Sequence, residues 1–377
     1  MTGFEEDRPT AADGSDEPVG QTKPEIIKRK SDHVDICLRD DIVNSNNFWD
    51  GVQLIHCALP EVDLEAVDTT SELFGKKVGA PIVIAAMTGG HSHGQEINDN
   101  LAAAAAELQI PMGVGSQRPA LEHPDYARTF HPLKDHDIPL VIANIGAPQL
   151  VDQKSGKALG ANDIRQAMDM IGADMVAIHL NFLQEVAQPD GDTRAAGVID
   201  AIAELAENIP VIAKETGAGI SHTVALELLE AGVKGIDVGG AGGTSFAAVE
   251  AVRAEERGLT ARARIGWTFK DWGIPTPVSV IEASAVLPVI ATGGIRSGLD
   301  VARGLVLGAS AAGLARTILA PSIAGRAETL EALQMVQEEL RTAMFLVGVG
   351  NVPDLQVQEF ILADNLLAYL ARFEQEE

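Results

Sequence analysis

Two cysteines in 377 residues, Cys37 and Cys57, are too few for a disulfide framework or a cysteine-built zinc site. Aromatic residues are scarce, at 4% of the chain. Cations are short as well: 28 Lys and Arg stand against 54 Asp and Glu, a formal net charge of −26. Such a chain repels nucleic acid and anionic membrane surfaces, which excludes both as partners. No apolar run approaches the roughly 20 residues that span a bilayer. No basic segment followed by an apolar one marks a secretory leader, so a cytoplasmic location is the expectation. The acid excess fits either an acidic partner-binding surface or a salt-rich cytoplasm, where a Debye length of about 3 Å at 1 M salt screens self-repulsion. Alanine in place of bulkier residues favours the second reading, which also implies that the fold loosens at low salt.

What the chain has is eight short apolar runs, each ending in glycine or polar residues: 81–89, 110–116, 139–146, 173–181, 210–217, 232–240, 287–294 and 310–316. Helix-length segments separate them. Eight repeats of strand then helix predict a (β/α)8 TIM barrel, α/β in class, with its core over about 80–320. Residues 1–24 are acidic and rich in Gly, Thr and Pro, and are expected to be a disordered tail. Residues 25–377 form one domain, with a lead-in before the barrel and a C-terminal helical extension after it. That extension reads as two helices, 324–337 and 338–346. Ser221 and Ser297 are expected helix N-caps. Residues 255–277, with Trp267, Trp272, Pro275 and Pro277, read as an inserted mobile loop of lid length.

In a barrel the C-terminal strand ends build the active site. The seventh and eighth ends carry Gly293-Gly294-Ile295-Arg296 and Ala315-Arg316. These are ordinary glycine turns or, in the two units that often bind phosphate, an anion cradle of backbone N–H groups. Small residues close the first strand at Ala86-Met87-Thr88, which suits a flat ring lying on backbone. Asn144 ends the third strand. Lys214 ends the fifth, where it stands either in an ion pair with Glu215 or another carboxylate, or beside a reduced flavin. The set favours FMN. In the fourth unit His179, Asn181, Gln184 and Glu185 fall within seven residues, and Glu185 suits Mg²⁺ completed by a bound diphosphate. The cations Lys28-Arg29-Lys30 form a solvated turn or an arm that binds an anion over the mouth. His91 and His93, between glycines, read as an exposed turn and not a metal pair.

Together these stretches resemble the type 2, FMN-dependent isopentenyl-diphosphate isomerases. The matches are Arg29-Lys30-Ser31-Asp32-His33, Ala86-Met87-Thr88-Gly89-Gly90, Gly115-Ser116-Gln117-Arg118, Asn144-Ile145-Gly146, His179-Leu180-Asn181 with Gln184-Glu185, Lys214-Glu215, Gly239-Gly240-Ala241-Gly242-Gly243-Thr244-Ser245, Asp271-Trp272-Gly273-Ile274-Pro275-Thr276 and Gly293-Gly294-Ile295-Arg296. The resemblance implies FMN contacts from Ala86, Met87, Thr88, Ser116, Asn144, Lys214, Thr244, Gly294, Ile295, Arg296, Ala315 and Arg316. It implies a substrate site of Arg29, Lys30, Ser116, Gln117, Arg118, His179, Asn181 and Gln184, with Gln184 as the catalytic relay and Glu185 on Mg²⁺. It further implies isopentenyl and dimethylallyl diphosphate as the substrate pair, NADPH as reductant, and a homotetramer or homo-octamer. With the acidic composition it points to a halophilic archaeon. One departure is Phe246, where the family commonly has Trp. A hydroxy-acid oxidase is disfavoured because residues 232–300 hold no histidine base, and an inosinate-type dehydrogenase because no cysteine lies in the barrel. A non-catalytic flavin-binding protein remains the rival of another class.

Overall fold

Eight parallel strands close into a barrel: β1 Ile82–Ile84, β2 Met112–Gly113, β3 Val141–Gly146, β4 Met175–Leu180, β5 Val211–Glu215, β6 Gly235–Asp237, β7 Val289–Thr292 and β8 Ala311–Leu314. The computed structural model of the chain describes residues 23–91 and 93–371. Each strand falls inside one of the eight expected runs. The expected tail lies outside the described residues except for Lys23 and Pro24, which open a helix running to Cys37.

Strand alternation sets what faces the barrel axis. Val83, Ile142, Met175, Ala177, Ile212, Ile290 and Ala311 form one inner apolar cluster, while their sequence neighbours Ile82, Ile84, Val141, Ala143, Val176 and Ile178 pack outward on the helices. A hairpin of Ser71–Leu73 and Lys76–Val78 seals the N-terminal end with Leu73, Phe74 and Val78. Two residues further along the same inward parity come the polar positions Asn144, His179, Lys214, Asp237 and Thr292. Pairing puts Gly146, His179, Lys214 and Asp237 level with one another around the wall. The barrel is therefore apolar below and polar at its mouth.

Ser221 and Ser297 cap their helices as expected, accepting from the backbone N–H groups of Val224 and Asp300. Two expectations change. Residues 255–277 are not a free loop: Thr260–Thr268 is a helix packed on the helix Phe246–Glu256. The contact is close because Gly266 lies against Ala247 and Ala251, and Trp267 Nε1 donates to Glu255 at 2.7 Å. The C-terminal extension contains one continuous helix, Arg326–Leu346, since nothing between Gln337 and Glu338 breaks the pattern. Among the described residues no helix is long and apolar enough to cross a membrane.

Candidate active site

The barrel mouth opens into a cavity of about 380 Å³, within the range of roughly 300–1,000 Å³ usual for ligand and cofactor sites. Loops after every strand reach it, and the helix Lys23–Cys37 roofs it with Arg29, Lys30, His33, Val34 and Cys37. Their spacing is one helical face. The expected arm over the mouth is thus a helix. Neither Arg29 nor Lys30 makes an ion pair with a described residue, although Glu185 and Glu250 act on Arg29 through space. Burial, and then the neighbouring Arg29 and Arg118, push the Lys30 ammonium down to about 7.

Glu250 holds that roof in place. It sits fully buried in the helix Phe246–Glu256. His33 bonds one of its carboxylate oxygens at 2.8 Å, and Gln184 Nε2 donates to the same atom at 3.0 Å. Arg253 donates to the other oxygen at 2.5 Å. Burial alone would push this carboxyl up, but His33, Arg253 and Gln184 outweigh it and hold it at about 2. Because Gln184 spends its N–H₂ on Glu250, its carbonyl oxygen turns toward Asn181 Nδ2, 3.4 Å away. Phe246 lines the cavity and meets His33 edge to face.

On β3 and β4, Asn144 Nδ2 donates to the Val114 carbonyl at 2.8 Å, so Oδ1 faces His179 Nδ1 at 2.7 Å. The neutral ring then carries its proton on Nδ1. Burial, with Lys30 and Lys214 nearby, lowers the His179 pKa to about 3. Glu185 accepts from Asn181 Nδ2 at 2.9 Å and from the Asp192 backbone N–H at 2.8 Å, and burial pushes its carboxyl up. Among the described residues no three His, Cys, Asp or Glu side chains gather to hold a metal alone. One carboxylate suits Mg²⁺ only if a ligand's phosphates supply the other oxygens.

Lys214 pairs with Asp237 at 2.8 Å, both nearly buried, and not with Glu215. Glu215 instead accepts the backbone N–H groups of Thr216, Gly217, Ala218 and Gly219 on one oxygen, and burial pushes its carboxyl up to about 7. At the far wall, Gly293 and Gly294 have φ of +119° and +75°, a backbone that L side chains avoid. The lead-in pins this loop: Asn47 Nδ2 donates to the Gly294 carbonyl and the buried Trp49 Nε1 to that of Gly293.

Most expected residues line this one cavity: Arg29, Lys30, Ala86, Met87, Thr88, Ser116, Arg118, Asn144, His179, Asn181, Gln184, Glu185, Lys214, Thr244, Gly294, Ile295, Arg296, Ala315 and Arg316. Gln117 does not. It is fully buried behind the wall, donating to the Ala167 carbonyl and accepting from the Asn144 N–H, because its side chain points opposite to Ser116. Three arginines at the cavity are already engaged. Arg296 spans Asp50 and Asp300, Arg316 binds the Cys37, Leu38 and Arg39 carbonyls and Asp40, and Arg118 bridges Glu122 and Asp192. A phosphate at the Gly293–Gly294 turn would therefore have to rest on backbone N–H groups and not on these arginines. His91 is not in an exposed turn: it is 2% exposed and lines the cavity. Asp237 and Glu250 were not singled out from sequence. Asp237 stands two residues past inward-facing Gly235, and Glu250 is an acid that follows an apolar first turn and precedes Arg253 by three residues; both signals are local.

The polar lining suits a flavin. The hydroxyl of Thr292 and the acceptor oxygens Asp237 Oδ1 and Asn181 Oδ1 are buried without partners among the described residues. A Cβ on Gly313 would collide with Thr292, and one on Gly243 would lie 2.5 Å from Gly294 N, so glycine keeps this wall open.

The chain is similar to known proteins over most of its length. A family profile described as FMN-dependent dehydrogenase matches residues 194–361. The isopentenyl-diphosphate delta-isomerase of Thermoplasma acidophilum is 44% identical over 345 residues, 92% of this chain and 99% of that one. That of Methanothrix thermoacetophila is 46% identical over 334 residues, covering 88% and 92%. Among solved structures, a mutant flavocytochrome b2 with pyruvate bound superposes at a TM-score of 0.61 and 17% identity, covering 91% of this chain and 85% of that one. A mandelate oxidase with a bound FMN adduct gives 0.55 and 20%, covering 88% and 93%. At such identities the structural likeness speaks for the barrel alone.

Proposed function

The chain belongs to the isopentenyl-diphosphate delta-isomerases, in their FMN-dependent type 2 barrel form, and from that premise we propose that it interconverts isopentenyl and dimethylallyl diphosphate by a 1,3-proton shift. The observation that carries the reading is the pair Arg29 and Lys30. In a chain with a net charge of −26 they stand over one cavity without an ion-paired carboxylate among the described residues, an arrangement that suits an anionic ligand. A hydroxy acid would need a histidine base late in the barrel, and residues 232–300 have none.

Bound reduced FMN, kept reduced through NADPH, would supply the acid–base edge, and Mg²⁺ would neutralise diphosphate charge. The chain's own residues do the rest. Arg29 and Lys30 hold the diphosphate against premature departure. Glu185 takes the metal. Gln184, its amide fixed by Glu250, serves as relay for a proton that it does not itself donate as an acid. Lys214 balances negative charge on the ring. Val34, Val43, Met87 and Leu319 line the cavity and keep water from the tertiary cation that alkene protonation creates. The decisive assay is turnover of isopentenyl diphosphate by FMN-loaded protein with Mg²⁺, with and without reductant. Turnover only with reduced flavin is expected; none from folded, loaded protein would overturn the reading.

Two further outcomes are expected. Lys30 loses its proton as pH rises through about 7 in the free enzyme, among Arg29, Arg118, His91 and His179. A phosphate's last ionisation, near 6, is already complete there. KM should therefore be lowest below pH 7 and rise above it, by up to about tenfold per pH unit until the pKa of the bound complex is reached. A KM that stays flat from pH 7 to 9 would remove Lys30 from the diphosphate. Gly243→Ala, by crowding Gly294, should release FMN on gel filtration while leaving the circular dichroism of the barrel intact.

A further inference from the structure

The loop after β1 turns sharply: Gly89 and Gly90 have φ of +134° and +77°, and the Phe130 ring fills the space where a Gly89 Cβ would sit. Gly90 N–H is fixed by Thr129 Oγ1 at 2.8 Å. This geometry turns His91 into the cavity wall. Its ring lies over Gly94, where a Cβ would stand only 3.2 Å from Cδ2 and Nε2. Both ring nitrogens are buried and neither has a hydrogen-bond partner among the described residues.

A buried polar group without a partner is unusual enough to need a reason. Here the neighbours narrow it. The charged groups acting on His91 are Lys30, from the roofing helix, and His93, from its own loop, and no carboxylate is among them. A neutral imidazole beside Lys30, with no carboxylate acting on it, is a donor without an acceptor. The acceptor that tolerates such surroundings is an anionic oxygen. His179 differs, because Asn144 already claims its Nδ1 proton and leaves Nε2 with none to give. His91 has no such constraint and can present a proton on either nitrogen.

We propose that His91 donates a ring N–H to a diphosphate oxygen of the substrate beside Lys30, a ligand-binding role additional to those of Arg29 and Lys30. The inference rests on the isomerase reading above. A hydrogen bond to a charged oxygen at a site that excludes water is worth about tenfold or more in affinity.

The test uses FMN-loaded enzyme with Mg²⁺ and inorganic pyrophosphate as the calorimetric probe, alongside steady-state kinetics. His91→Phe should weaken pyrophosphate binding about tenfold and raise KM for isopentenyl diphosphate in step, with kcat and the flavin spectrum held. His91→Gln, which keeps a donor, should recover most of the affinity and guards against a folding defect in the Phe variant. Unchanged pyrophosphate affinity in folded, loaded His91→Phe would overturn the proposal while leaving the isomerase reading intact. So would loss of FMN with pyrophosphate affinity retained, which would assign His91 to the cofactor. Wild-type enzyme that neither binds pyrophosphate nor isomerises the substrate would overturn both.

Discussion

Glu250→Ala is expected to cost about 3–5 kcal/mol of stability, because it strips the partner from a buried cation. Among the described residues Arg253 would keep only Asp32, at 3.7 Å. The same change should reach the chemistry by two routes. His33 loses the bond that anchors the roofing helix, and Arg29 and Lys30 sit on the His33 face of that helix, so KM should rise. Gln184 loses the acceptor that sets its amide, so kcat should fall by at least about tenfold, the scale of a mispositioned group. Glu250→Gln separates the contributions. It keeps the volume and an acceptor, so most of the fold survives, but its own N–H₂ competes with Gln184 for orientation. Denaturant unfolding and kinetics on both variants check this. A Glu250→Gln enzyme with wild-type kcat and KM would mean that the cluster holds the fold alone.

The barrel was legible because its signal is repeated. Eight runs of apolar residues bounded by glycine leave few other architectures, and inward parity carries the polar mouth residues with it. The individual partners were harder to read. Lys214 sits beside Glu215 in sequence, yet the pleat turns Glu215 to the loop backbone and brings Asp237 across from β6. Likewise Gln117 belongs to a matching stretch, but its amide is spent on the Ala167 carbonyl and the Asn144 N–H behind the wall, and of the two neighbours only Ser116 faces the cavity. Arg296 and Arg316 look like free phosphate ligands until the lead-in is folded back on the barrel, where Asp50 and Asp40 meet them. Those contacts join residues more than two hundred positions apart, beyond any local pattern. His91 misled for a related reason. Flanking glycines mark a turn, and whether a turn faces solvent or a cavity depends on Phe130 and the roofing helix.

Lys214→Met should be the most damaging single change at the cavity floor. It leaves Asp237 buried beside β5 with one oxygen already lacking a partner. Removing one member of a buried ion pair costs about 3–5 kcal/mol, because the survivor's charge is uncompensated. On the function proposed above the same lysine would balance charge on the reduced ring in the holoenzyme, so turnover should fall by two orders of magnitude or more, the scale of losing a preorganised electrostatic contact. Stability and chemistry part company in the double variant Lys214→Met with Asp237→Leu. Replacing a whole buried pair with apolar side chains is often neutral or stabilising. Thermal unfolding of the double variant should therefore return to near the wild-type value, while turnover stays as low as in Lys214→Met alone. That pattern would mean the pair is kept for the charge at the flavin and not for the barrel. Recovery of turnover together with stability would instead make Lys214 a packing residue and would return the search for the charge beside the ring to the backbone N–H groups of the glycine loops.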